Sequence, residues 1–94
     1  MPDEVRELLL TAAALEKLGG RNVSAEEAEQ LLHNEHVTVR NPSAPDLRTR
    51  RLLIGRTDGG RYLTLVLEQT TDPTTWLTIT GWDSTEVERN LLDR

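Results

Sequence analysis

The sequence predicts an α+β fold with two N-terminal helices, a four-stranded antiparallel meander and a short C-terminal helix. Three observations favour this class. Apolar residues recur at helical spacing near the N-terminus, the pattern then changes to strand-like alternation, and short turns separate the last three alternating segments. Because a chain of 94 residues buries only a thin core, we expect residues 1–94 to form a single domain.

The first helix is predicted over residues 3–18. Its apolar positions share one helical face, and the stop signal Gly19-Gly20 follows them. Because this apolar stripe extends beyond what one thin core covers, homodimerisation through the first helix is one predicted interaction.

The second and third helices are predicted from their capping residues. A capping box of Ser24 and Glu27 opens the second helix, which is predicted over residues 25–32. The third is predicted to start near Asp83 and to run toward Leu91.

Four strands are predicted from alternation of apolar and polar residues. The first is the short segment "HVTVRN", and a proline-marked loop follows it. The second and third cover residues 50–56 and 61–68, on either side of the turn "TDGG". The fourth covers residues 76–81, and the short connections favour an antiparallel meander.

The hairpin turn determines which side chains share a face of the sheet. A two-residue turn at Asp58-Gly59 or at Gly59-Gly60 gives registers that differ by two residues, so either turn predicts the same faces. The helix-covered face is predicted to carry Leu52, Ile54, Leu63, Leu65 and Leu67. The open face is predicted to carry Arg51, Tyr62, Trp76 and Trp82. Arg56 and Arg61 take the parity of the covered face but lie at the hairpin tip.

Charge is distributed unevenly along the chain, whose formal net charge is -5. Residues 40–61 contain six arginines and two aspartates, net +4, whereas residues 1–39 carry -5 and residues 62–94 carry -4. This asymmetry indicates one basic face on an acidic body, suited to phosphates or to an acidic partner.

Several classes of site and location are disfavoured by composition. The chain has no cysteine, which excludes disulfides and thiolate metal sites. His33 and His36 lack further clustered ligands, so no metal site is predicted, and no motif calls for a cofactor. No signal-peptide pattern or membrane-spanning apolar run is present, so we expect a cytoplasmic protein without a membrane partner.

The basic segment and the aromatic residues predict contacts to RNA. Arginine binds phosphate through paired hydrogen bonds, and aromatic rings stack on unpaired bases. The candidates for phosphate contact are Arg40, Arg51, Arg56 and Arg61, and those for stacking are Tyr62, Trp76 and Trp82. The alternative is structural: strand-end arginines are solvated and pair with acidic groups, Trp76 covers the sheet, and Trp82 serves as a hydrophobic staple of the third helix.

The order of motifs resembles the BrnT-type toxins of bacterial toxin–antitoxin systems. "NVSAEEAEQLLHNEHVTV", a proline-bearing loop and "RRLLIGRTDGGRYLTLVLE" are similar to that family's "HGVSFEEA"-like helix start, variable loop and "IGRT..GR.L.VV"-like hairpin. The resemblance covers about residues 15–94. It implies a RelE-like ribonuclease fold, cleavage of mRNA and neutralisation by a cognate antitoxin protein.

The resemblance assigns Arg51, Arg56 and Arg61 to phosphate binding or to stabilisation of charge during cleavage. His36 is the nearby candidate for proton transfer. The chain departs from the family pattern in two places. "TGWDSTEVER" has Trp82 where the family has the arginine of an "SAR"-like segment, and the predicted first helix replaces the family's N-terminal strand.

A noncatalytic interaction module is the alternative function. In that hypothesis the same face of the sheet binds a partner protein or a second copy of the chain.

Overall fold

The structure, a computed structural model, describes residues 4–40 and 49–93. Its elements are β1 (Glu7–Leu9), α1 (Ala12–Gly19), α2 (Ala25–His33), β2 (His36–Arg40), β3 (Arg50–Arg56), β4 (Tyr62–Gln69), β5 (Thr75–Asp83) and α3 (Glu86–Leu92). The predicted α+β class is confirmed. The proline-marked loop predicted after the first strand falls mostly on residues 41–48, which lie outside the described residues.

The N-terminal segment forms a strand and then a helix, so the prediction of one helix over residues 3–18 is wrong. β1 pairs in parallel with β5 and places Leu8 opposite Trp76. The hydroxyl of Thr11 accepts a hydrogen bond from the amide of Ala14, and this cap starts α1. Pairing with a distant strand therefore overrides the helical spacing of the first apolar residues.

The other two helices begin at capping boxes. Ser24 and Glu27 form the predicted box of α2, in which each side chain binds the other residue's amide. α3 starts later than the predicted Asp83, because β5 continues to that residue and Thr85 caps the helix with Glu88.

The described strands form one sheet in the order β1-β5-β4-β3-β2. The antiparallel meander from β2 to β5 is confirmed. The predicted count of four strands is corrected to five, because β1 adds to the outer edge of β5 in parallel orientation. The sheet is therefore mixed.

The β3–β4 hairpin has a three-residue loop, and this corrects the predicted register. The amide of Thr57 donates to the carbonyl of Arg61 at 2.8 Å, and Gly60 adopts φ 87°. A residue in this left-handed region is usual at the end of a three-residue hairpin loop. Ile54 consequently pairs with Thr64 rather than with Leu63 or Leu65.

The shifted register places apolar residues on both faces of the hairpin, because directly opposed residues share a face. One face packs against α1 and α2 and includes Leu53, Leu63, Leu65 and Leu67. The other face, which α3 covers, includes Leu52, Ile54 and Val66. The predicted grouping of Leu52 and Ile54 with the β4 leucines is therefore wrong, and neither face of β3 is open.

A bulge in β5 separates the two tryptophans. Thr78 pairs with Leu67, but Thr80 pairs with the preceding residue of β4, so Ile79 is an additional residue. Trp76 therefore lies on the α1–α2 face, whereas Trp82, opposite Thr64, lies on the α3 face.

Gly81 is required by close packing between β5, β4 and α1. A Cβ atom there would lie 2.6 Å from Cδ2 of Leu65, 3.0 Å from Cδ2 of Leu18 and 3.0 Å from the carbonyl oxygen of Thr64. We expect Gly81→Ala to lower the free energy of unfolding, measured by urea denaturation, by roughly 1–3 kcal/mol. Gly19→Ala is the control, because its Cβ would meet no atom within 4 Å. Equal urea midpoints for Gly81→Ala and the unmodified protein would contradict this packing.

Candidate functional site

The predicted site residues are divided between the two faces of the sheet. Arg51 lies on the α1–α2 face, and its strand partner Arg40 shares that face. Arg56 pairs with Tyr62 on the α3 face. Two predicted groupings are therefore wrong: Arg51 does not share a face with Tyr62, and Arg56 does not share one with Arg61, which contacts α2.

Arg61 forms a clamp, here the Arg61 clamp, between the sheet and the turn that joins α1 to α2. Its Nε and Nη2 donate to the two carboxylate oxygens of Asp83 at 2.6 and 3.1 Å. Its Nη1 donates to Glu27 and, at 2.7 Å, to the carbonyl of Asn22. Its Nη2 also donates to the carbonyl of Arg21 at 3.2 Å. The guanidinium is therefore occupied by internal partners.

The Arg61 clamp changes the acidity of its members. Hydrogen bonding from Arg61 lowers the pKa of Asp83 below its ordinary value of 3.8. The pKa of Glu27 is also lowered, first by the backbone amide of Ser24 and then by Arg61. The carboxylates in turn raise the pKa of the Arg61 guanidinium, with Asp83 contributing most.

Arg51, Arg40 and His36 lie along the β2–β3 ladder. Arg51 is buried at 8% exposure, and its Nη1 donates to the carbonyl of Arg50 at 2.8 Å. Arg40 is exposed at the end of β2. His36 is opposite Gly55, so it belongs to the α1–α2 face, and its Nδ1 lies 2.9 Å from the carbonyl oxygen of Asn34. His36 and Arg56 therefore face opposite sides of the sheet.

Both tryptophans make contacts that support the fold. Trp76 is buried at 2% exposure, and its indole nitrogen donates to the carbonyl of Glu4 at 3.1 Å. The indole nitrogen of Trp82 donates to Oε1 of Glu88 at 3.0 Å. At this exposure the Trp76 ring presents no open face on which a base can stack.

Arg56, Tyr62 and Arg89 form the basic and aromatic group that we call the Tyr62 cluster. The guanidinium carbons of Arg56 and Arg89 lie 5.5 and 5.8 Å from the centroid of the Tyr62 ring. These distances are typical of cation–π contacts. Arg89 was not predicted from the sequence, because it lies outside the basic segment and α3 was expected on the other face. The sequence feature that could have indicated Arg89 is its place as a basic residue in the last turn of the helix that follows β5.

Two acidic residues border the Tyr62 cluster at long distances. Glu35 lies 3.8 Å from Nη2 of Arg56, and both side chains are substantially exposed. The carboxylate oxygens of Asp93 lie 3.5 Å from the Tyr62 hydroxyl. Contacts of this length between exposed groups are weak, so Glu35 does not hold Arg56 in a close ion pair.

A concavity of about 450 Å³ lies beside Arg56 at the hairpin tip and is also lined by Glu35 and Gly60. Its rim is held in place by Asn34, whose side-chain amide donates to the carbonyl of Arg56 at 2.8 Å and to Asp58 at 2.9 Å. The end of α2 is thereby tied to the hairpin. Its lining combines Arg56 with the carboxylate residues Glu35 and Asp58.

Residues 4–40 and 49–93 contain no group of three or more His, Asp or Glu side chains arranged to hold a metal ion. Within the same ranges, no helix has both the length and the hydrophobicity required to cross a lipid bilayer.

The Arg61 clamp predicts a loss of stability at acidic pH. The pKa values of Glu27 and Asp83 are lowered in the folded state. At acidic pH the unfolded chain therefore binds more protons than the folded chain does, and falling pH favours unfolding. Their stabilisation is present above their ordinary pKa values of 4.5 and 3.8 and is lost below them. We expect Asp83→Asn to flatten the decline in urea stability between about pH 5 and pH 3. Glu16→Gln, an exposed change on α1, is the control, and an unaltered decline in Asp83→Asn would contradict the prediction.

The chain was compared with protein-family models, with curated proteins and with solved structures. None of the three comparisons gives a significant match.

Proposed function

We propose that this protein is a BrnT/RelE-type toxin that acts on mRNA and contacts it through the Tyr62 cluster. The observation that carries the proposal is the N-terminal strand. β1 pairs in parallel with β5 at the edge of the meander. The resemblance to BrnT-type toxins implies a strand at the N-terminus. The apolar residues there recur at helical spacing, and for that reason a helix was predicted instead of the strand.

The Tyr62 cluster supports RNA as the ligand. Arg56 and Arg89 provide two guanidinium groups beside one aromatic ring on the surface of the α3 face. Guanidinium groups bind phosphates with paired hydrogen bonds, and aromatic side chains are common in sites for single-stranded RNA. The Arg61 clamp and the burial of Arg51 leave Arg56 as the predicted hairpin arginine best placed to meet a phosphate.

A noncatalytic interaction module is the second candidate, and the position of His36 favours it. Its ring lies on the α1–α2 face, whereas Arg56 and Tyr62 lie on the α3 face. Proton transfer requires the base within hydrogen-bonding distance of the reacting hydroxyl. A site without that base depends on positioning and charge alone for any cleavage. The absence of a base beside Arg56 is therefore compatible with a surface that binds a partner protein or a second copy of the chain without catalysis.

Removal of Arg56 is expected to weaken RNA binding. We predict that Arg56→Ala lowers affinity for a fluorescein-labelled single-stranded RNA by about tenfold, because one charge-assisted phosphate contact is lost. Salt dependence should fall as well, by about 0.7 in the slope of log affinity against log salt concentration. Arg6→Ala removes an exposed arginine near the opposite edge of the sheet and is the matched control. Equal affinity and slope for Arg56→Ala and Arg6→Ala would contradict the phosphate contact.

Toxicity distinguishes the two candidate functions. We expect expression of the chain in bacteria to arrest growth and to cleave mRNA, and co-expression of a cognate antitoxin encoded beside it to restore growth. The measurements are growth after induction and RNA integrity with purified protein, with and without ribosomes. RNA left intact with and without ribosomes, together with unimpaired growth in the absence of an antitoxin, would reject the toxin and favour the interaction module.

A further inference from the structure

We infer that Arg89, on α3, supplies the RNA-binding guanidinium that strand β5 lacks. This inference rests on the proposed function and adds a residue to its site. The BrnT-like pattern has an arginine in the segment where this chain has Trp82. The replacement removes a positive charge from the strand, but the contacts of Trp82 position another one.

Trp82 helps to fix α3 against the sheet through Glu88. Oε1 of Glu88 accepts hydrogen bonds from the indole of Trp82 at 3.0 Å, from the hydroxyl of Thr64 at 3.0 Å and from the amide of Thr85 at 2.8 Å. These donors come from β5, β4 and the cap of α3. One carboxylate oxygen thus joins the helix to two strands, and a carboxylate that accepts several hydrogen bonds is firmly oriented.

Because Glu88 fixes α3 against the sheet, it also fixes the position of Arg89, the next residue on the helix. The guanidinium carbon of Arg89 lies 5.8 Å from the centroid of the Tyr62 ring. Arg56 approaches the same ring from β3 at 5.5 Å. The ring attracts both cations, which offsets part of their mutual repulsion before a ligand binds. An RNA phosphate at this surface therefore meets arginines from a strand and from a helix.

The acidic side chains around the Tyr62 cluster make their described contacts with groups other than Arg89. Asp93 contacts the Tyr62 hydroxyl at 3.5 Å, and Glu35 contacts Arg56. Glu88 is already engaged by donors from the sheet and from its own cap. Arg89 is exposed on α3, so a phosphate reaches it without prior disruption of a buried ion pair.

The test measures binding of a fluorescein-labelled single-stranded RNA to Arg89→Ala and Arg89→Lys over a range of salt concentrations. We expect Arg89→Ala to weaken binding about tenfold and to reduce the salt slope by about 0.7, because one phosphate contact is lost. Arg89→Lys should retain the salt slope, because the charge remains. Arg6→Ala is the control for removal of an exposed arginine.

A second variant tests the role of the helix anchor. Trp82→Phe keeps an aromatic ring but removes the donor to Glu88, so we expect weaker RNA binding. In that background Arg89→Ala should cost less than it does alone, because the two changes act through the same contact.

The outcomes separate this inference from the proposed function. Failure of the unmodified protein to bind RNA would overturn both. Binding that Arg56→Ala weakens and Arg89→Ala leaves unchanged would overturn only the role of Arg89. A lower melting temperature for Arg89→Ala with unchanged affinity and salt slope would also overturn it, since that result assigns Arg89 to packing against Tyr62.

Discussion

Burial of the β3–β4 hairpin on both faces is the constraint on which the rest of the fold depends. The consecutive residues Leu53 and Ile54 are both fully buried, although their side chains point to opposite sides of the sheet. One side requires α1 and α2, and the other requires α3. The C-terminal helix therefore has to cross to the face that the N-terminal helices leave uncovered, and this crossing brings Arg89 to Tyr62.

Local sequence rules were sufficient to predict α2 and the strands β2 to β5, but not β1 or the faces of the sheet. The capping box of Ser24 and Glu27 and the alternation in β3 and β4 depend on neighbouring residues, so they can be read directly. The faces depend on the number of residues in one turn. "TDGG" satisfies two-residue turns and a three-residue loop equally well, and the odd number reverses the parity of one strand relative to the other. β1 was missed because three residues form a strand only when a partner such as β5 is available.

The candidate site was harder to predict because charge counted along the chain does not reveal which charges meet. Arg61 belongs to the basic segment, yet its carboxylate partners are 34 residues before it and 22 residues after it. Arg89 lies in an acidic segment, yet it joins Arg56 at the surface. The hairpin motif pointed to one member of the Tyr62 cluster, Arg56, which remains a candidate. Arg89 joins the cluster through packing between residues far apart in sequence, and a short sequence motif cannot predict such packing.

The phosphate site that we propose is compatible with an acidic protein because electrostatic interactions have a limited range. At physiological salt the screening length is about 8 Å, so charges on the far side of the sheet contribute little at Tyr62. For the proposed RNA ligand, we expect the net charge of -5 to slow the approach and the arginines beside the ring to determine the strength of the final contact. Glu88 also shows that a charge close to Arg89 in sequence can be directed away from it in the structure. Its negative charge is adjacent to Arg89 in sequence, but its Oε1 is directed at the sheet, where it holds the helix that presents the guanidinium.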